Sequence, residues 1–300
     1  MIIRNSLSLE EWLKGISYEV AFWNNVYRWK HTFNGMMGWS HYGRQISLEH
    51  FDANAYLSKC NNPIVLDVGA GMSYATGNYV LNGGELQPLD IHYVDPLAPY
   101  FNDILKRYRR KLPTIEFGMM EYLSDFYPER NIDMVIIQNA LDHSSAPQIG
   151  IIEAMQTLKI GGVLYLNHHP NEAEMEHYKG FHQFNINHED GKLIIWNRKS
   201  RVDVNDMLKC CADISVNVNE DTGHVIAVIY KTADIPTSLH TNNDRKELLS
   251  TIINMSKKQS ELSHTLHYKA RYWMYNAIQF FAQLLPWHIK MKLKRILHQA

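Results

Sequence analysis

Cysteine is scarce: Cys60, Cys210 and Cys211 are the only three in 300 residues. They form no C-x-x-C pair and are too few for a disulfide framework, which excludes the small disulfide-stapled scaffolds and points to a reducing compartment. A surplus of one charge is lacking too. With 30 basic and 31 acidic residues the net charge is −1, which excludes a general polyanion binder. No uninterrupted apolar run is long enough to span a bilayer. The opening MIIRNSLSLEEWLKGI has no apolar core ahead of a small-residue cleavage site. With Ser8 and Glu11 as a capping box it reads as a helix start, and the expected location is cytoplasmic. Internal repeats are absent. An apolar fraction of 45% suffices for a sizeable core, so one large domain, or a domain with an appendage, is expected.

What is present centres on residues 64–73, IVLDVGAGMS. Ile64, Val65, Leu66 and Val68 surround Asp67 in a buried-strand pattern that runs into Gly69-Ala70-Gly71. Closely spaced glycines let the backbone turn sharply and let a ligand approach without meeting a Cβ. Residues 74–81 are expected to form a helix whose N-terminal amides point back at that ligand. A dinucleotide fingerprint requires a third glycine at the position of Tyr74, where a bulky ring stands instead.

From Pro63 strands and helices alternate. Strands are expected at 63–69, 91–94, 114–117, 132–138 and 162–167, with helices at 98–111, near 122–127 and at 148–159. This pattern predicts a doubly wound, Rossmann-like α/β sheet with its ligand beyond the carboxyl ends of the strands. Ahead of it, residues 1–60 read as an aromatic helical cap carrying Trp12, Trp23, Tyr27 and Trp29. Within the cap, residues 35–44 read as a turn-rich loop closing over the ligand.

Asp67 inside the first strand, Asp95 ending the second and Met119-Met120-Glu121 after the third resemble the motifs of class I S-adenosylmethionine (SAM) methyltransferases. So do Asn139-Ala140-Leu141-Asp142-His143 after the fourth strand and Leu158-Lys159-Ile160-Gly161-Gly162 before the fifth. The resemblance implies a seven-stranded sheet over residues 61–232. It also implies a SAM site made by Asp67, Gly69, Ala70, Gly71, Asp95, Pro96, Met120, Glu121 and Asn139, with Asp95 on the ribose hydroxyls and Glu121 near adenine. Arg44 is the candidate partner for the SAM carboxylate, because a guanidinium matches a carboxylate bidentately. Ser73 and Ile160 depart from the usual glycine and proline of these motifs.

A narrower resemblance rests on Glu19-Val20-Ala21-Phe22-Trp23, Asp95-Pro96-Leu97-Ala98, Asn171-Glu172-Ala173-Glu174, Gly180-Phe181-His182-Gln183-Phe184-Asn185 and Ile195-Trp196-Asn197. These look like methyltransferases of bacterial surface-polysaccharide (O-antigen or capsule) gene clusters. That resemblance implies O-methylation of a sugar hydroxyl on a polysaccharide or its lipid-linked precursor. Methylation of a small molecule and a non-catalytic scaffold at the membrane are the alternatives.

Removing a proton from an alcohol calls for a base, and histidine titrates in the right range. His143, past the fourth strand, is the first candidate; His182 and His169 follow. Asp142 with Asn167, His168 and His169 could converge on a divalent ion, but no H-x-x-x-H or cysteine pair supports one, and no metal is expected. The insertion at 167–197 mixes amides, carboxylates and imidazoles with Tyr178, Phe181 and Trp196, which suits sugars, whereas its acids would repel nucleic acid. A hairpin is expected there around His188-Glu189-Asp190-Gly191.

Residues 244–300 read as a helical docking tail beyond a polar linker. After Glu261 no acid occurs, and in 287–300 Ile289, Leu293, Ile296 and Leu297 form a stripe flanked by lysines. Such a helix lies in a membrane interface or packs on the body or on a second subunit of a homodimer. The first of these implies peripheral contact with the inner membrane.

Overall fold

The structure, a computed structural model, describes residues 9–129, 131–239 and 265–286 and the single positions 246, 250 and 289. Its strands are β1 (Ile64–Val68), β2 (Tyr79–Asn82), β3 (Glu85–Pro88), β4 (Asp90–Asp95), β5 (Glu116–Phe117) and β6 (Ile132–Gln138). There follow β7 (Leu158–His168), β8 (Asn185–Glu189), β9 (Lys192–Trp196), β10 (Arg201–Asp203), β11 (Ala212–Val218) and β12 (Val225–Lys231). Seven of them form one sheet in the order β11-β12-β7-β6-β1-β4-β5. β5, β4, β1, β6 and β7 run parallel, and β12 joins antiparallel between β7 and β11. This is the expected doubly wound α/β sheet. Chain order reverses on either side of β1, which opens a crevice beyond the carboxyl ends of β1 and β6.

The sheet is buried on both faces because its strands are continuously apolar, each alternate side chain serving one face. Leu66 and Val68 join Val135, Ile137, Leu164 and Leu166 beneath a helix over Pro147–Thr157, together with Phe184, Ile186, Leu193 and Ile195 of a small second sheet. Val65, Met134, Ile136 and Tyr165 face the other way, against Ala53, Leu57, Val80 and Leu89. The second sheet is β10-β9-β8. Its β8–β9 turn is the expected hairpin, with Asp190 and Gly191 at φ 48° and 79°, as a two-residue turn of this kind requires. β10 was not foreseen.

The helix expected at 74–81 does not form. Tyr74 is buried at φ 46°, and residues 79–88 make the β2–β3 hairpin. The reason is tertiary: a Cβ at Gly77 would lie 2.4 Å from the Gln45 carbonyl oxygen, and Tyr79 pairs with Gln45. The chain is therefore held extended against residues 44–46, with Ile46 N–H donating to the Tyr79 carbonyl at 2.8 Å.

Upstream lie α1 (Leu9–Arg28), α2 (Lys30–Trp39) and α3 (Ala53–Leu57). Gly35 to Trp39, expected in a loop over the ligand, are the end of α2, and Trp39 is 86% exposed. The cap is seated by α1: Ile16, Val20, Val26 and Tyr27 pack with Ala70, Met72, Tyr74 and Phe101, and the Tyr27 hydroxyl donates to the Met72 carbonyl at 2.7 Å. In the described part of the tail, a helix over Leu266–Leu284 lies on α1. Its buried Asn276 accepts from the side-chain amides of Asn24 and Asn25 at 3.2 and 3.0 Å. The amphipathic stretch 287–300 falls outside the described residues apart from Ile289. Among the described residues no helix is long and apolar enough to cross a membrane. The three cysteines are unpaired.

Candidate active site

A cavity of about 370 Å³ opens at the carboxyl ends of β1, β4 and β6. Its lower wall is made by the turns that close those strands and β5: Gly69, Ala70 and Gly71 after β1, Asp95 and Pro96 at the end of β4, Met120 and Glu121 after β5, and Asn139, Ala140 and His143 after β6. The upper wall comes from elsewhere, with Glu19 and Trp23 reaching down from α1 and Phe181 from the loop before β8.

Backbone geometry dictates the first turn. Gly69 adopts φ 69°, and a Cβ there would lie 2.3 Å from the Ala140 Cβ. Gly71, at φ 54°, lies under the Trp23 ring, 3.3 Å from where its own Cβ would stand. The amides of this turn are already committed. Gly69 and Ala70 N–H donate to the Val94 carbonyl at 2.8 and 3.2 Å, and Gly71 N–H donates to Asp95 Oδ2 at 3.0 Å.

Asp95 also accepts the Leu97 N–H at 2.7 Å; burial pushes its carboxyl up to about 6 even so, against those two amide bonds. Glu121 accepts the Ser145 N–H at 2.6 Å and is likewise raised by burial. Glu19 is pushed up to about 7, first by burial; the nearby His182 opposes the shift, while Asp95 and Asp142 add to it. Three carboxyl groups thus surround a cavity that no lysine or arginine lines among the described residues.

Most of the expected cofactor residues therefore line one cavity, but two do not. Arg44 is exposed and away from it; its carbonyl accepts the Asn78 and Tyr79 amides, so its role is to fasten the loop before β2. Asp67 is buried behind the wall and accepts the Thr76 hydroxyl at 2.9 Å, with burial raising its carboxyl to about 7. Its side chain points to the opposite sheet face from Leu66 and Val68, which is why an acid inside β1 does not reach the ligand side.

Of the three candidate bases, His143 alone lines the cavity. Asp142 and His143 sit on a single 3₁₀ turn, Leu141–His143, that follows β6. His182, 40 positions on from Asp142, comes to it from the loop before β8, and His182 Nδ1 stands 2.8 Å from Asp142 Oδ2. His143 Nε2 stands 3.1 Å from His182 Nδ1 and 3.4 Å from Asp142 Oδ2. Burial alone would raise Asp142, but the imidazoles of His143 and His182 hold it at about 2. Burial lowers His143, which favours its neutral form; in His182 the same penalty is overcome by the bond to Asp142, which raises it. His169 is elsewhere, its ring 4.0 Å from that of His224 and its N–H on Asn139 Oδ1 at 3.1 Å. The set Asp142, Asn167, His168 and His169 does not converge; Asn167 bonds His224 at 2.8 Å instead.

In the sequence Glu19 stands out only as part of a motif, and Trp23 as part of that motif and of the aromatic cap. Their spacing of four places carboxylate and indole on one face of α1, a signal that an acid within a run of apolar residues could have raised. Phe181, expected to stack on a sugar, lies 2.8 Å from where a Cβ at Gly15 would stand, so it is also the point where α1 closes down.

No family model and no curated protein matches the chain. Solved structures similar to it include a 16S rRNA N2 methyltransferase of T. Thermophilus in complex with AdoMet and guanosine, at 14% identity over 64% of this chain and 42% of that one, TM-score 0.33. The citrinin polyketide synthase CMeT domain gives 12% identity over 58% and 47%, TM-score 0.38. A SAM-bound amino pentose methyltransferase from Micromonospora echinaspora, involved in calicheamicin biosynthesis, gives 14% over 58% and 86%, TM-score 0.35. The chain spans less than half the length of the first two. At these TM-scores the likeness carries no weight of its own, and the strand order and the groups at its carboxyl end are what a functional reading must rest on.

Proposed function

We propose that the chain is a SAM-dependent O-methyltransferase acting on a sugar hydroxyl of a bacterial surface polysaccharide or of its lipid-linked precursor. One observation carries the cofactor reading. The crevice at the strand-order reversal is walled by Glu19, Asp95 and Glu121, lacks any lysine or arginine among the described residues, and has its turn amides already bonded. A dinucleotide's pyrophosphate would meet carboxylates with no cation, and the Gly69, Ala70 and Gly71 amides already have acceptors. A nucleoside bearing a sulfonium and an ammonium group suits the same walls: acids attract its charge, and Asp95 keeps lone pairs for ribose hydroxyls.

SAM supplies a methyl group already activated for displacement, so the protein's part is positioning and removal of the acceptor's proton. The neutral imidazole of His143, at the cavity wall, accepts that proton, while Asp142 and His182 fix its ring and Asp142 favours its charged form. The sugar reading rests on the insertion, where Tyr178, Phe181 and Trp196 stand among hydrogen-bonding side chains. The proposed place of work is the cytoplasmic face of the inner membrane, reached through the tail. Liposome flotation of the full chain tests that point, and failure to float removes it.

Calorimetry with S-adenosylhomocysteine and with NAD tests the cofactor. The expected result is binding of the first only, weakened at least about tenfold, or about 1.4 kcal/mol, by Asp95→Ala. Binding of NAD, or none of S-adenosylhomocysteine, overturns the reading. Mass spectrometry of the host glycan with and without the gene tests the acceptor, an unchanged methyl-sugar content directing the search to small molecules.

A further inference from the structure

We infer that Asp142, His143 and His182 form a binding site for one divalent transition-metal ion at the wall of the cavity. The three donor atoms, Asp142 Oδ2, His143 Nε2 and His182 Nδ1, form a triangle with edges of 2.8, 3.1 and 3.4 Å. An ion about 2.1 Å from each of two ligands separates them by about 3.0 Å at a right angle and about 3.4 Å at a tetrahedral angle. The triangle therefore has the dimensions of one face of a coordination sphere.

Hydrogen bonding accounts for this arrangement only if Asp142 Oδ2 accepts from both rings, at 2.8 and 3.4 Å, which turns the 3.1 Å approach of His143 Nε2 to His182 Nδ1 into a contact between two donors. A ring nitrogen carries either one proton or one lone pair in the ring plane, yet His182 Nδ1 has two partners, at 2.8 and 3.1 Å. A proton given to Asp142 cannot also meet His143, and the rings cross at 76°, so stacking offers no alternative. A single cation at the common point satisfies all three atoms together.

The surroundings suit a dication. Glu172 Oε1 lies 3.9 Å from His182 Nδ1, and Glu19 faces the same group from α1. His168, 1% exposed and close to Asp142, has neither ring nitrogen hydrogen-bonded. The site is built on main-chain structure and not on mobile side chains alone. Gln183 N–H donates to the Asp142 carbonyl at 3.3 Å and its side-chain amide donates to the Tyr178 and Gly180 carbonyls, which ties the His182 loop to the turn after β6. Two imidazoles and one carboxylate select zinc, manganese, cobalt or iron(II) over magnesium or calcium, whose sites are built from oxygen.

An ion held there would take the acceptor's hydroxyl oxygen as a further ligand and lower its pKa, so that the proton leaves to water and the oxygen takes the methyl group as the S–CH3 bond of SAM breaks; His143 would then serve as a ligand in place of a base. That role rests on the methyl-transfer reading; binding of the ion does not. The test is titration of the full-length chain, freed of metal by a chelator, with Zn²⁺ and Co²⁺ alone, read by calorimetry and by the visible absorption of bound Co²⁺. One ion per chain is expected, with affinity at least about 100-fold weaker in His182→Ala and unchanged in His169→Ala. No stoichiometric binding by the wild-type chain overturns the inference, and so does binding by folded His182→Ala within about threefold of wild type, or loss of binding in His169→Ala. Wild-type stoichiometry and the Co²⁺ spectrum need no variant, so a misfolded His182→Ala does not rescue a negative result. S-adenosylhomocysteine binding to the metal-free chain separates the two claims: nucleoside without ion sinks the metal site only, and ion without nucleoside sinks the methyl-transfer reading only.

Discussion

The lower wall of the cavity is laid down by turns that close adjacent strands, whereas its upper wall is carried in by α1 and by the loop before β8. In the lower wall the carboxylates are held by main-chain amides of the turns, Asp95 by Leu97 N–H and Gly71 N–H and Glu121 by Ser145 N–H. In the upper wall Glu19 and Trp23 depend on a helix whose own seat is made by Tyr27, Arg110 and Asn276. The difference separates two duties. Backbone geometry shapes the lower wall, so it tolerates almost no added atom; side-chain packing places the upper wall, so it can lose a ring and still close.

The largest expected effect comes from breaking the lower wall. Gly69→Ala adds a Cβ 2.3 Å from that of Ala140 at a residue held at φ 69°. The expected loss in S-adenosylhomocysteine affinity, by calorimetry, is about 100-fold or more, together with a lowered Tm. The double variant Gly69→Ala/Ala140→Gly recovers part of the affinity, since it removes the clash but not the backbone strain. A single variant that binds as wild type would end the view that backbone geometry sets this wall.

Truncating the upper wall is expected to cost less. Trp23→Ala removes the ring over Gly71 and weakens the same ligand about tenfold, with kcat falling less than KM rises. An effect as large as that of Gly69→Ala would erase the contrast between the walls.

Asp67 sharpens the comparison from behind. Its carboxyl is raised by burial from 3.8 to about 7, so the folded state holds a proton that the unfolded state releases at lower pH. Its contribution to stability is therefore fully present below about pH 4 and is lost as pH rises through about 7. Asp67→Asn removes that loss. The variant's Tm relative to wild type is expected to rise by a few degrees between pH 5 and pH 8, with ligand affinity within about twofold of wild type. A fall in affinity of tenfold would return Asp67 to the cavity side.

The smallest effect is expected at Arg44, which is exposed and engages its surroundings through its backbone. Arg44→Ala should leave ligand affinity within about twofold of wild type and Tm unchanged within about one degree. A tenfold loss would show that the guanidinium reaches the cofactor after all.

What the residues determined unaided is the alternation of strands and helices from Ile64 to His168, residues 74–88 excepted, and the glycine turn after the first strand. The physical reason is locality. A buried parallel strand needs a continuous apolar run, a sharp turn needs glycine, and both are written within ten residues of each other. Asp95, Glu121 and Asn139 came from the resemblance to class I methyltransferases, whose motifs stand at or shortly after the ends of successive strands. The hairpin at 79–88 was not legible, since it replaces a plausible helix only because residues 44–46 run alongside and Gly77 meets a backbone there. Nor was the side of β1 on which Asp67 lies, which the alternation of the strand decides only once its two faces have partners. The meeting of His182 with Asp142 across 40 positions, and of Glu19 with both, was decided by tertiary structure alone. Contacts of that length follow from how the second sheet packs on the first, and no local propensity encodes it.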